Sequence, residues 1–274
     1  MTIAKAFPLS RRTLLAGSGA FLLGVSGVRA AGPEVIVRSD LDPEFASQKV
    51  NGTFALFQPA QERLTLVNPV RAEQRFVPAS TFKVPNSLIA LETGAVRNAD
   101  EVIPYGGRKQ PFPAWEKDMP MREAITASAV PIYQELARRI DFDNYRIWLE
   151  KLDYGNQRLG TNLENFWLDG PLEISSVEQT RFLARLARGE LPASERAQTI
   201  VREILRLEER NGAILYGKTG WQFSSKPQRG WWAGWVDRGG QVASFCLNMD
   251  MTHAVDAGKR LAIGRRMLER LQVY

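Results

Sequence analysis

The chain has 274 residues, 44% hydrophobic and 24% charged, with 36 Lys and Arg against 30 Asp and Glu. That is ordinary globular usage, sufficient for one large domain or two small lobes, and it speaks against a disordered or repeat architecture. The net charge of +6 does not mark a nucleic-acid binder, because Lys5, Arg11, Arg12 and Arg29 supply four of those charges within the first thirty residues and about two remain for the rest.

Residues 1–30 read as an export signal. Ser10-Arg11-Arg12-Thr13-Leu14-Leu15 leads into a Gly- and Ser-diluted apolar run that ends at Gly27, and the small residues Ala30 and Ala31 follow. The run is shorter than the ~18–20 residues of a spanning helix. The arginine pair points to the twin-arginine route, with an ordinary secretory signal as the alternative. The mature chain is then expected in the periplasm without a membrane anchor.

Segments 53–57 and 63–67 alternate apolar and polar residues and are joined by Gln58-Pro59-Ala60-Gln61-Glu62, the pattern of a hairpin. A helix is predicted from Ser80 to about Glu92, ended by Gly94. The Pro- and Gly-rich stretch 98–120 is expected as loop. Short helices follow at 121–127, at 131–140 with Ile132, Leu136 and Ile140 on one stripe, and at 143–152, closed by Tyr154-Gly155-Asn156. After an irregular stretch to Ser175, 177–188 and 195–207 are amphipathic. Segments 213–218, 231–236 and 242–249 read as strands, the last two linked by the hairpin signal Asp237-Arg238-Gly239-Gly240. A final helix carries Ala257, Leu261, Gly264, Leu268 and Leu271 at alternating four- and three-residue spacing. The Trp231-Trp232-Ala233-Gly234-Trp235 cluster reads as a buried strand, and Cys246 as plain core. Strands at both ends with helices between predict an α+β fold: an antiparallel sheet flanked by helices, built from 31–95 and 189–274, with an all-helical lobe inserted at 96–188 and the active site at the seam.

Chemistry is expected at Phe76-Val77-Pro78-Ala79-Ser80-Thr81-Phe82-Lys83. If Ser80 opens a helix, Lys83 lies one turn along on the same face. A serine hydroxyl is a poor nucleophile until a base takes its proton, and a Ser-x-x-Lys pair supplies both within one turn. The lysine must be neutral to do so, which burial favours. A helix N-terminus adds backbone N–H groups beside the reacting carbonyl. Lone Cys246 excludes an intramolecular disulfide. With His253 the only histidine there is no zinc donor set, and a Ser-His-Asp triad would have to be built on a residue in a polar turn.

Ser80-Thr81-Phe82-Lys83, Ser128-Ala129-Val130, Tyr154-Gly155-Asn156 and Lys218-Thr219-Gly220, in that order, together with Phe166-Trp167-Leu168-Asp169-Gly170, resemble the motif set of class D serine β-lactamases, over a span from about Gly52 to the last helix. The first and last motifs belong to penicillin-recognising serine enzymes generally. The resemblance implies the β-lactamase/transpeptidase-like fold and a β-lactam substrate. Ser80 would be the nucleophile and Lys83 the general base, carboxylated by carbon dioxide with Trp167 donating to the carbamate. The backbone N–H groups of Ser80 and Trp221 would form the oxyanion hole. Ser128 would relay a proton to the lactam nitrogen beside Lys218, its bland alternative being a helix N-cap. Thr219, Gly220 and Arg260 would bind the substrate carboxylate, with Lys259, Arg265 and Arg266 as neighbouring candidates, and Val130 would keep the pocket apolar. No other cofactor, no metal and no nucleic acid are expected, and the assembly is a monomer or homodimer. A penicillin-binding D,D-peptidase would instead carry Ser-x-Asn as its second motif, and a β-lactam sensor that acylates without turnover would need a transmembrane transducer.

Overall fold

The computed structural model describes residues 32–253 and 255–274, so the expected export segment at 1–30 lies outside the described residues. In chain order the elements are β1 (Glu34–Val37), α1 (Pro43–Ala46), β2 (Gly52–Gln58), β3 (Arg63–Val67), α2 (Pro69–Glu73) and α3 (Lys83–Glu92). Next come β4 (Val102–Ile103), β5 (Met119–Pro120), α4 (Met121–Ala127), α5 (Val130–Ile140), α6 (Phe142–Leu152), α7 (Ser176–Arg188) and α8 (Glu195–Leu205). The chain closes with β6 (Arg206–Arg210), β7 (Ala213–Gln222), β8 (Gln228–Arg238), β9 (Gln241–Met251) and α9 (Asp256–Arg270).

Seven strands form one sheet in the order β1-β3-β2-β9-β8-β7-β6. The N- and C-terminal strands meet where β2 pairs antiparallel with β9, Phe54 opposite Leu247. The expected α+β arrangement, a sheet flanked by helices, is therefore what the chain adopts. One pair departs from the antiparallel pattern: β1 runs parallel to β3 at the edge. Both edge strands escape the pattern reading for physical reasons. β1 is only four residues long, and β6, Arg-Leu-Glu-Glu-Arg, is charged along most of its length, as suits an exposed edge. Residues 206 and 207, expected at the end of a helix, belong to β6. Within the expected loop 98–120, β4 and β5 form a small antiparallel pair.

Helix α7, which the pattern placed with the helical insert, packs across β2 and β9, and Ser244 Oγ donates to Thr180 O at 2.8 Å. Its start is held by a reciprocal capping box between Ser175 and Glu178. The buried positions of α9 are Ile263, Gly264, Met267 and Leu268, and Leu261 is exposed. The sheet-facing side of this helix includes half-buried Arg260 instead, a polar residue that hydrophobic spacing cannot register. The larger core surrounds α3, with Phe82, Tyr145, Tyr154, Phe166 and Trp167 in mutual aromatic contact at its centre. Trp231, Trp232, Trp235 and Cys246 are all buried, as expected.

Candidate active site

Ser80 sits in a 3-10 turn, Ala79–Phe82, that runs directly into α3. In a 3-10 turn side chains three residues apart eclipse one another. Lys83 Nζ accordingly lies 2.9 Å from Ser80 Oγ, within hydrogen-bond distance. Lys83 has no solvent exposure, and its Nζ stands 5.1 Å above the Tyr133 ring. Burial pushes its ammonium pKa well below the ordinary lysine range, and the positive charge of Lys218 adds to the effect. The pair is thus a hydroxyl beside an amine that favours its neutral form.

The approach to Ser80 is held from behind. Trp231 Nε1 on β8 donates to Val77 O at 3.0 Å. Phe76 exchanges two backbone hydrogen bonds with Ile174, at 3.0 and 2.9 Å, which ties the nucleophile's approach to the end of the 166–174 segment. The guanidiniums of Arg71 and Arg229 lie 4.9 and 5.2 Å from the Phe76 ring centre, and both pair with Asp250, at 2.8 and 3.0 Å. Ala79, just before the serine, adopts φ +49°, a sparsely populated conformation for a residue with a Cβ.

A second hydroxyl and amine pair faces the first. Ser128 ends α4 in the left-handed conformation, φ +57°, and α5 starts without any side-chain cap, so the N-cap alternative is not realised. The Ser128 hydroxyl instead accepts from Lys218 Nζ at 3.0 Å, and Lys218 also donates to Thr219 O at 2.9 Å. Burial, followed by the charge of Arg260, pushes the Lys218 pKa down to about 7. β6 pairs with β7 only as far as Tyr216, so residues 217–222 project past it and pack against the turn bearing Ser80. Gly220 makes that approach possible: a Cβ there would stand 3.0 Å from Pro78 O and 3.2 Å from Thr81 Cγ2.

Of Lys259, Arg260, Arg265 and Arg266 on α9, only Arg260 lines the cavity. Its guanidinium donates to Gly220 O and Ala257 O and lies 5.7 Å from the Trp221 ring centre. Burial lowers its pKa to about 10. Lys259 is engaged by Asp256 and Gln48 O, Arg265 by Glu208 and Arg266 by Glu44.

Trp167 is buried and stacked on Phe82, centroids 5.6 Å apart, and its Nε1 is a buried donor with no partner among the described residues. Tyr154-Gly155-Asn156 is architectural: Gly155 has φ +56°, and a Cβ there would lie 2.2 Å from Glu173 O. The Asn156 side chain donates to Pro171 O at 2.9 Å and accepts from Glu173 N at 3.0 Å, which pins the segment after Trp167.

Ser80, Ser128, Val130, Thr219, Gly220, Trp221 and Arg260 line one cavity of about 700 Å³, while Lys83, Trp167 and Lys218 lie behind its wall. The cavity walls missed by motif reading are Phe112, Trp115 and Phe223, while Leu168 and Asp169 lie within the 166–170 motif but were assigned no role from it. Phe112 and Trp115 belong to a Pro-rich loop and Phe223 to the β7–β8 turn, stretches with no periodicity to read. Trp115 is fixed by its Nε1 donating to Ala127 O at 3.0 Å.

The profile of the penicillin-binding protein transpeptidase domain matches residues 46–269. The β-lactamase OXA-5 of Pseudomonas aeruginosa is 38% identical over 228 residues, 82% of this chain and 85% of that protein. The β-lactamase OXA-48 of Klebsiella pneumoniae is 36% identical over 261 residues, covering 95% and 98%. Among solved structures, a class D β-lactamase from Nostoc superposes with a TM-score of 0.83 at 36% identity, covering 85% of this chain and 99% of that one. FUS-1 (OXA-85), a class D β-lactamase from Fusobacterium nucleatum, gives 0.83 at 37% identity, covering 86% and 98%.

Proposed function

The chain belongs to the class D β-lactamases, and from that premise we propose that it opens β-lactam rings through an acyl-ester on Ser80. The observation that carries this reading is the 2.9 Å separation of Ser80 Oγ from the fully buried Lys83 Nζ, whose pKa burial lowers. Lys83 takes the hydroxyl proton as Oγ attacks the lactam carbonyl. The developing oxyanion is received by the backbone N–H groups of Ser80 and Trp221, the first in the 3-10 turn and the second on the projecting end of β7. The lactam C–N bond breaks as the proton that Lys83 took passes through Ser128, whose hydroxyl is held by Lys218, to the nitrogen, which leaves Lys83 neutral again. Thr219 and Arg260 take the substrate carboxylate, Gly220 admits it close to the strand, and Val130 keeps the floor apolar. Water then hydrolyses the ester with Lys83 again as base, releasing Ser80.

A carbon dioxide adduct on the Lys83 amine fits this site. The amine favours the neutral form that reacts with carbon dioxide, and Trp167 Nε1 is a buried donor lacking an acceptor among the described residues. Carboxylation would supply a carboxylate base where the amine now stands. We further propose export to the periplasm through the twin-arginine signal at 1–30, a monomer or homodimer as the working form, and a site at the seam between a mixed lobe and the 96–188 helical lobe.

Steady-state hydrolysis of a chromogenic cephalosporin, with and without bicarbonate, tests the proposal together with intact-mass measurement of wild type and Ser80→Ala. Continuous turnover with an acyl adduct confined to wild type is expected, with a loss of rate in bicarbonate-free buffer that bicarbonate restores. A stoichiometric burst with no steady state would replace hydrolysis by sensing, and an adduct persisting in Ser80→Ala would displace the nucleophile.

A further inference from the structure

The 700 Å³ cavity is electrically lopsided. Among the described residues, Arg260 is the cationic one on its lining and Asp169 the acidic one. They come from different walls, Arg260 from α9, which packs on β8 and β9, and Asp169 from the segment that follows Trp167. Asp169 is solvent-exposed, and among the described residues no cationic side chain lies within ion-pair distance of it. Its neighbours do not share that condition. Glu164, on the same segment, pairs with Arg138 at 2.8 Å. Gln134, the nearest polar lining residue on α5, spends its amide N–H on Glu164 O and Asn165 Oδ1. Asp169 is itself anchored through its backbone, N–H to Asn165 O at 3.0 Å, on a segment clamped by Asn156. A carboxylate held on a fixed backbone, unpaired and facing the substrate cavity, is a recognition element for positive charge.

We propose that Asp169 is a specificity-determining residue that favours β-lactams carrying an ammonium or other cationic group on the side chain remote from the ring carboxylate. Such a substrate is a zwitterion whose two charges match the two ends of the cavity: its carboxylate meets Arg260 and its cation meets Asp169. Apolar walls at Phe112, Trp115 and Leu168 receive the body of the same side chain. This assignment rests on the hydrolytic reading of the site, which supplies the ring position and so fixes which end of the substrate reaches Asp169.

The test compares two penicillins that differ only in an α-ammonium group on the aryl side chain, in wild type, Asp169→Asn, Asp169→Glu and Asp169→Lys. The measured quantity is the ratio of kcat/KM for the ammonium-bearing compound to that for its neutral partner. Asp169→Asn is expected to lower the ratio about two- to fivefold, the range of an exposed ion pair. Asp169→Glu should retain it and Asp169→Lys should lower it further. The wild-type ratio should also fall as salt is raised from about 0.05 to 1 M, where the screening length shrinks to ~3 Å, while the ratio for Asp169→Asn should not. Equal ratios in wild type and Asp169→Asn, or a wild-type ratio indifferent to salt, overturn the proposal. Failure of wild type to turn over either compound would instead defeat the hydrolytic reading, and the ratio of acylation rates read by mass spectrometry would still decide the role of Asp169.

Discussion

The reactivity assigned to Ser80 requires Lys83 to be uncharged in the folded chain, and the pH dependence of stability reports on that directly. Burial pushes the Lys83 ammonium far below its usual range, with Lys218 as the second cause, whereas an unfolded lysine titrates near ~10.4. Between those two values the unfolded chain holds a proton that the native chain does not, so stability must rise with pH. The slope for one such proton is at most about 1.4 kcal/mol per pH unit. Lys218, lowered to about 7 by burial and then by Arg260, contributes with the same sign above that pH. At higher pH the trend reverses, because burial raises the pKa of Cys246, Tyr133 and Tyr145, which keep protons that the unfolded chain loses. The useful window is therefore about pH 7 to 8.5. Lys83→Met fills a similar volume without titrating. Urea denaturation of wild type and Lys83→Met in bicarbonate-free buffer should show the variant more stable at pH 7, with an advantage that shrinks by up to ~2 kcal/mol by pH 8.5. A difference that stays flat across this window would mean that native Lys83 holds its proton as tightly as the unfolded chain does. An amine in that state could not accept the Ser80 proton, and the mechanism would fail.

Two further substitutions probe the surroundings. Trp167→Phe removes a buried donor that has no partner among the described residues, so its stability cost should be limited to the packing loss of the ring difference, ~1–2 kcal/mol. If a charged group on Lys83 uses that donor, the bicarbonate concentration giving half-maximal activity should rise about tenfold or more, the worth of one hydrogen bond to a charged group. An unchanged bicarbonate titration would remove Trp167 from the site chemistry. Gly220→Ala places a methyl group 3.0 Å from Pro78 O and 3.2 Å from both Thr81 Cγ2 and Trp231 Cβ, too close for β7 to keep its distance from the Ser80 turn. A loss of ~1–3 kcal/mol in urea denaturation and a fall of about tenfold or more in kcat/KM are expected, and retention of both would show that this seam yields without consequence.

Much of this molecule was legible one residue at a time, for reasons of local physics. The Ser80 and Lys83 pairing depends on a three-residue spacing that any single turn of helix brings together, so it survived the discovery that the turn is 3-10. The β8 and β9 hairpin was legible in Gly239-Gly240, and the starts of α4 and α5 were legible to within a residue from Pro120 and Pro131. Arg260 was not legible in the same way, since Lys259, Arg260, Arg265 and Arg266 crowd one helix and only their partners separate them. Lys259, Arg265 and Arg266 are each occupied by an acid, and Arg260 alone reaches the cavity. The charged edge strand β6 and the aromatic walls at Phe112, Trp115 and Phe223 were likewise silent in the pattern.

Spacing along the chain specifies which groups share a turn, because backbone geometry is local and repeats. Whether an amine loses its proton, whether an indole N–H is left without an acceptor, and which carboxylate faces the cavity depend on how much water remains around each group once distant segments pack. Those are properties of the folded surface between β7, α5 and the segment after Trp167, and no window of sequence contains them.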